Sequence, residues 1–238
     1  MDSLELCIFS YVFLQIIHYI VSLRISYLMS KIWIRKEDNK SACRRLHLNT
    51  TTAYRSAVRL RIENNWYIIL SLRMPFGGAP YPTEFALDVD LLADTINDLL
   101  EDDTWNEKEI FSDMAYKIPD SIPLSDDILF ALARGMALDI PEDSCGKTDV
   151  YVDDFITVGS NIDNNLDRLN KAPITVIYAV VDTNSYMSIS IPRIDTVAID
   201  KMKAKESAEE MKICLGWMID SRSLIASLPN RKTIGWIS

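Results

Sequence analysis

Histidine is nearly absent from this chain, with two in 238 residues. Nothing pairs His47 with a serine or cysteine, so it reads as structural, and nucleophilic hydrolase chemistry has no foothold. Cysteine is sparse too. Cys7, Cys43, Cys145 and Cys214 stand far apart and never form a CxxC pair, which argues against a zinc site or a disulfide framework and fits a reducing, intracellular compartment. Basic residues are outnumbered, 25 Lys and Arg against 34 Asp and Glu for a formal charge of -9. That balance argues against generic binding to polyanions, which leans on Lys and Arg neutralising phosphates. No internal repeat is visible.

What the chain does have is apolar mass, 48% of its residues, enough for a sizeable core. The first segment, residues 1–36, differs from the rest. From Leu6 to Leu23, "LCIFSYVFLQIIHYIVSL" runs 18 residues without a formal charge, followed by Arg24, Lys31, Arg35 and Lys36. A membrane-spanning helix needs about 20 apolar residues, and the basic cluster would then sit on the cytoplasmic side. Gln15 and His18 weaken that reading. A buried helix, or a stretch foreign to the ancestral domain, are the alternatives.

Beyond Arg35 the pattern is that of an α+β protein. "WYIILSLRM" (66–74) and "DVYVDDFITVG" (149–159) read as strands, and "ITVIYAVV" (174–181) as a further apolar run, less clearly extended. "EFALDVDLLADTINDLLEDD" (84–103) spaces Leu87, Leu91, Leu92, Ile96, Leu99 and Leu100 at three and four, an amphipathic helix with an acidic outer face. Residues 102–148 are acidic and broken by Pro119, Pro123 and Pro141, an insertion of loops with one or two short helices at most. Residues 200–216 read as a charged helix or loop entering a short strand.

Two adjacent carboxylates, Asp153 and Asp154, interrupt the most strand-like segment. Flanked by "VYV" and "FITV", they belong at or beside the tight turn of a β-hairpin. Two readings stand at this point. Asp tolerates the backbone angles of such turns; alternatively, a rigid hairpin tip presents carboxylates to Mg²⁺, which takes a few hard oxygens and keeps positions open for substrate phosphates.

The tetrapeptide Tyr151-Val152-Asp153-Asp154 resembles the YxDD hairpin of reverse transcriptases, and three further motifs of that family stand in order along the chain, two upstream of it and one downstream. "KEDNKSACRRLHLN" (36–49) resembles the motif in which a metal-binding Asp opens the first palm strand; Asp38 fills that place, while Cys43 stands where the family has Tyr or Phe. "LRMPFGGAPYPTEF" (72–85) resembles the Pro-Phe-Gly loop before the helix that supports template and nucleotide. "ICLGWMIDSRSLIASLPNRK" (213–232) is similar to the primer-grip strand and the run after it, in the manner of retrotransposons that carry a tyrosine recombinase.

The resemblance covers roughly residues 36–235. It implies a polymerase palm-like antiparallel sheet with packed helices over 37–238, and RNA-directed DNA polymerase chemistry on a primer–template with dNTPs. Asp38, Asp153 and Asp154 would hold two Mg²⁺, or Mn²⁺; such a carboxylate cluster favours cations that neutralise it. Cys43, Pro75, Phe76, Gly77, Gly78 and Tyr151 would border nucleotide and template, and Leu215, Gly216 and Trp217 the primer. Arg44 and Arg45 fit either phosphate contacts or a solvated strand end. The small Cys43 implies weakened exclusion of a ribose.

Departures from the pattern shape the expectation. The family's fingers before the first Asp and thumb after the last motif have no counterpart here, so the resemblance is to a truncated palm. Residues 1–36 hold four basic and two acidic side chains, which leaves 21 basic against 32 acidic over the palm region, a charge of -11. The competing expectation is a catalytically inactive remnant of a retroelement, membrane-associated through residues 6–23.

Overall fold

The computed structural model describes residues 12–38, 48–74, 81–108, 145–162, 165–181 and 207–229. Cys43, the loop residues Pro75, Phe76, Gly77 and Gly78, and the insertion from 109 to 144 lie outside the described residues.

Alternation in "IWIRKED" makes β1 (Ile32–Asp38), which sends its charges to two different faces. It pairs antiparallel with β5 (Asp154–Ser160), and β5 with β4 (Gly146–Tyr151), giving the sheet order β1-β5-β4. On one face Trp33, Phe155 and Val150 pack against α3 (Tyr81–Glu101) and α4 (Leu166–Val181). On the other, Ile32, Ile34, Ile156 and Val158 meet α1 (Val12–Ser26) together with Cys214 and Ile219. The sheet is thus a middle layer between two apolar clusters, which fixes the register of every strand in it.

The antiparallel sheets and packed helices make this a mixed α+β fold. Four elements differ from the sequence expectations. Asp38 ends β1 rather than opening it, and residues 32–36 of the N-terminal segment form most of that strand. The run 174–181 is helical, the second half of α4, with Pro173 inside the helix; a short Ile/Val-rich run does not by itself distinguish a buried helix from a strand. In α3 the buried stripe is Phe85, Val89, Leu92, Ile96 and Leu100, whereas Leu87 and Leu91 are 64% and 62% exposed. Each stands two positions from a core residue, about 200° around the helix. The strand expected over 66–74 stops early, at β3 (Asn65–Ile69), and forms a hairpin with β2 (Val58–Ile62) that follows the short helix α2 (Thr50–Arg55).

In the described part of the apolar N-terminal segment, α1 has 15 residues and buries Val12, Ile16, Ile20 and Leu23 against the sheet. No helix among the described residues is long and apolar enough to cross a membrane. The Arg24 guanidinium pins the C-terminal end of α1, donating to the carbonyls of Ser30 (2.7 Å), Leu28 (3.1 Å) and Ser221 (3.2 Å). Ser221 lies in the turn between β7 and β8 of another antiparallel sheet, β6-β7-β8 (Met211–Cys214, Trp217–Asp220, Ile225–Ser227), and Glu209, just before β6, forms an isolated bridge with Ile34 of β1.

Candidate functional site

β4 and β5 turn through a two-residue loop, Val152-Asp153, between the register partners Tyr151 and Asp154. Val152 has φ 59, the left-handed region that a β-branched residue enters only under constraint. Such a residue costs on the order of 1–3 kcal/mol and persists where its surroundings over-determine it; packing of the Val152 side chain against the helix-side cluster supplies that constraint. A strained tip of this kind holds Asp153 and Asp154 in a fixed place on stiff strands.

Asp38 is the register partner of Asp154, although the two are far apart in the sequence. Directly opposite residues of an antiparallel pair have Cα atoms about 4.5–5.5 Å apart and share a face. Lys36, two residues earlier on that face, sets its Nζ 2.6 Å from Asp154 Oδ2. Glu37, between them, points the other way and is fully buried with Arg35. The triplet Lys36-Glu37-Asp38 is therefore split by strand alternation into an outward pair and an inward anchor.

Two of the three expected metal ligands are thus brought together, with Asp153 next to them in the turn. Among the described residues, no three His, Cys, Asp or Glu side chains converge closely enough to hold a metal ion. Asp38 and Asp154 supply hard oxygens on one face, and the Lys36 ammonium sits where a cation would neutralise Asp154. This donor set fits one hard cation completed by substrate oxygens, rather than a site closed by protein ligands alone.

The second expected group is also partly placed. β6 and β7 turn through Leu215 (φ 50) and Gly216 (φ 87), and two consecutive positive φ angles define the favoured two-residue hairpin turn. Trp217 follows at 39% exposure, its ring centroid 5.6 Å from that of Phe13 on α1. It is neither a core tryptophan nor a bare surface one. Tyr151 is likewise 39% exposed. Burial pushes the Cys145 thiol up to about 11 and the Cys214 thiol up to about 12, so both remain protonated and are structural rather than nucleophilic.

Sequence reasoning missed Lys36 as the partner of Asp154, and it missed a second acidic group. Asp90 and Asp94 of α3 and Asp149 of β4 line a cavity of about 420 Å³ beside Gln15 and Tyr19 of α1. Burial, then the Asp90 and Asp94 charges, raises the Asp149 carboxyl, against the opposing hydrogen bond from the Val150 N–H. Asp90 is raised by burial and by Asp94. The signal available was Asp149 itself, which shares a strand face with Tyr151 by alternation.

A stability effect follows. A carboxyl raised in the folded state binds its proton more tightly there than in the unfolded chain. Its favourable contribution is complete below the unfolded value, about 3.9, and is lost as pH rises through the folded one. Asp149→Asn, which keeps an oxygen for the Val150 N–H, should therefore raise the melting temperature at pH 7. The difference from wild type should close as pH falls below about 4. A variant that melts lower than wild type at pH 7 would contradict the assignment.

Comparison of the chain with protein-family models, with curated proteins and with solved structures finds no match.

Proposed function

We propose that this chain carries the palm of a retroelement-derived reverse transcriptase, in which Asp38 and Asp154 act as the primary carboxylates and Asp153 as their neighbour in the turn. The observation that carries the reading is the register: the motif aspartate of β1 stands directly opposite the second aspartate of the YVDD hairpin. Helices back one face of that sheet, and the two-residue turn at Leu215-Gly216 belongs to an adjoining sheet, an arrangement that supports the same reading.

Bound magnesium would supply Lewis-acid activation of a primer 3′-hydroxyl and neutralise the pyrophosphate leaving group. The chain's own residues do the rest. Asp38 and Asp154 present oxygens from rigid strands, and Lys36 holds Asp154 in place and must yield it when a cation arrives. Trp217 and Tyr151 offer exposed rings for sugars or bases to pack against. The second reading, a catalytically silent remnant, is favoured by one observation, the Lys36–Asp154 ion pair that occupies one of the two carboxylates.

Primer extension separates the two. With an annealed primer–template, dNTPs and Mn²⁺, the active reading expects short, distributive addition that is abolished in both Asp38→Asn and Asp154→Asn. Processive synthesis is not expected, because positioning of both substrates supplies much of the rate in such chemistry. Absence of any addition by wild type, with cation binding at the two aspartates intact, would establish the silent remnant. Addition that survives both substitutions would contradict the site.

A further inference from the structure

The β2–β3 hairpin stands apart from both clusters, with every residue of its two strands exposed. A lone two-stranded hairpin is marginal in water unless something packs on it. Its register divides the side chains: Val58, Leu60, Ile62, Tyr67 and Ile69 share one face, while Arg59, Arg61, Trp66 and Ile68 share the other. On that second face the Arg59 guanidinium lies 4.0 Å from the Trp66 ring centroid and Arg61 5.7 Å from it, with Ile68 72% exposed. Stacking fixes a guanidinium while leaving its N–H edge available for a carboxylate.

A complementary surface exists on the same molecule. The outer stripe of α3 runs Leu87, Leu91, Asp94, Asp98, at spacings of four, three and four, so these four side chains form one row. All four are exposed, and both leucines are left without a covering element among the described residues. Asp94 and Asp98 are one turn apart, about 5–6 Å, and Arg59 and Arg61 are two strand positions apart, about 7 Å. The two charge pairs are opposite in sign, and Leu87 and Leu91 match Ile68 and Trp66 in apolar character.

We infer that the hairpin's Arg59/Arg61/Trp66/Ile68 face docks on the Leu87/Leu91/Asp94/Asp98 stripe of α3 in a second copy of this chain. The contact joins two different surfaces, so it is heterologous, and copies add head to tail. The exposed isoleucine and the already stacked Trp66 favour a protein partner over a polynucleotide, which would need the ring's open face. This inference is independent of the polymerase reading.

Sedimentation velocity on the full chain tests it. Wild type should self-associate with rising concentration, and more weakly in high salt. Arg59→Glu with Arg61→Glu, and separately Asp94→Arg with Asp98→Arg, should each give monomers whose far-UV circular dichroism matches wild type. Mixing the two variants should restore association, because each retains the surface complementary to the other. All four reversals in one chain should restore it too. Wild type that stays monomeric throughout, charge-reversed variants that associate as wild type does, or a mixture that stays monomeric would each overturn the proposal. So would a labelled oligonucleotide bound by monomeric wild type and lost in Arg59→Glu/Arg61→Glu, an outcome that would assign the face to nucleic acid.

Discussion

Glu37→Ala should destabilise the fold by about 3–5 kcal/mol, the usual cost of removing one member of a buried ion pair. Arg35 and Glu37 are 1% and 0% exposed, on the helix-facing side of β1, and their side chains are paired. The Arg35 guanidinium also donates to Asn170 Oδ1 of α4 at 2.6 Å, so the pair links the central sheet to a helix. Alanine leaves that guanidinium charged and buried without the Glu37 carboxylate. Against a total stability of about 5–15 kcal/mol, such a loss is enough to leave much of the chain unfolded at 37 °C. The complementary variant sharpens the expectation. Replacing both residues, Arg35→Met with Glu37→Leu, removes both desolvation penalties and should recover most of the loss. Urea denaturation monitored by tryptophan fluorescence measures both; a Glu37→Ala cost below about 1 kcal/mol would show that the pair does not organise this core.

The second large effect is steric. Gly146 and Gly159 are register partners on β4 and β5. A Cβ on Gly146 would lie 2.8 Å from Gly159 Cα and 2.8 Å from Leu169 Cδ2, and closer still to the Val158 carbonyl oxygen. Two of those neighbours are backbone, so they cannot move without opening the strand pair. A Cβ on Gly159 meets chiefly the tips of Leu169, with the Cys145 carbonyl oxygen at 2.6 Å. Gly146→Ala and Gly159→Ala should both lose stability by about 1–3 kcal/mol or more, as overpacked cores do. The distinction lies in the rescue. Leu169→Ala should relieve more of the Gly159→Ala loss than of the Gly146→Ala loss, since only the former clashes mainly with a side chain. Equal rescue of both, or of neither, would place the constraint elsewhere.

These two expectations rest on features the sequence conceals to different degrees. The β4–β5 hairpin was legible because β-branched residues flank the Asp pair on both sides, and α3 because its apolar spacing extends over many turns. The resemblance led to the expectation that Asp38 comes near the hairpin aspartates, but it set Asp38 at the opening of a strand, whereas β1 ends on it opposite Asp154; no local pattern states which distant strand pairs with β5. Lys36 was hidden for the same reason, as its partnership depends on that pairing. The exposure of Leu87 and Leu91 was misread because three-and-four spacing tolerates two overlapping stripes, and packing chose the one through Phe85 and Val89. The helix at 174–181 was obscured by Ile and Val, whose preference for strands yields to burial between the sheet and α3. Trp217 shows the limit on the other side: its neighbour Phe13 comes from a segment that composition alone left open among three readings.

The central claim, that Asp38 and Asp154 form one cation-binding pair on adjoining strands, is tested most directly by titrating the full chain with Mn²⁺ and following free ion by electron paramagnetic resonance. The account predicts a site present in wild type and lost in both Asp38→Asn and Asp154→Asn, with folding verified by circular dichroism. It also predicts tighter binding in Lys36→Met, where the competing ammonium is gone, and an unchanged site in Asp149→Asn. Binding that persists in both Asp38→Asn and Asp154→Asn, or that disappears instead in Asp149→Asn, would contradict it.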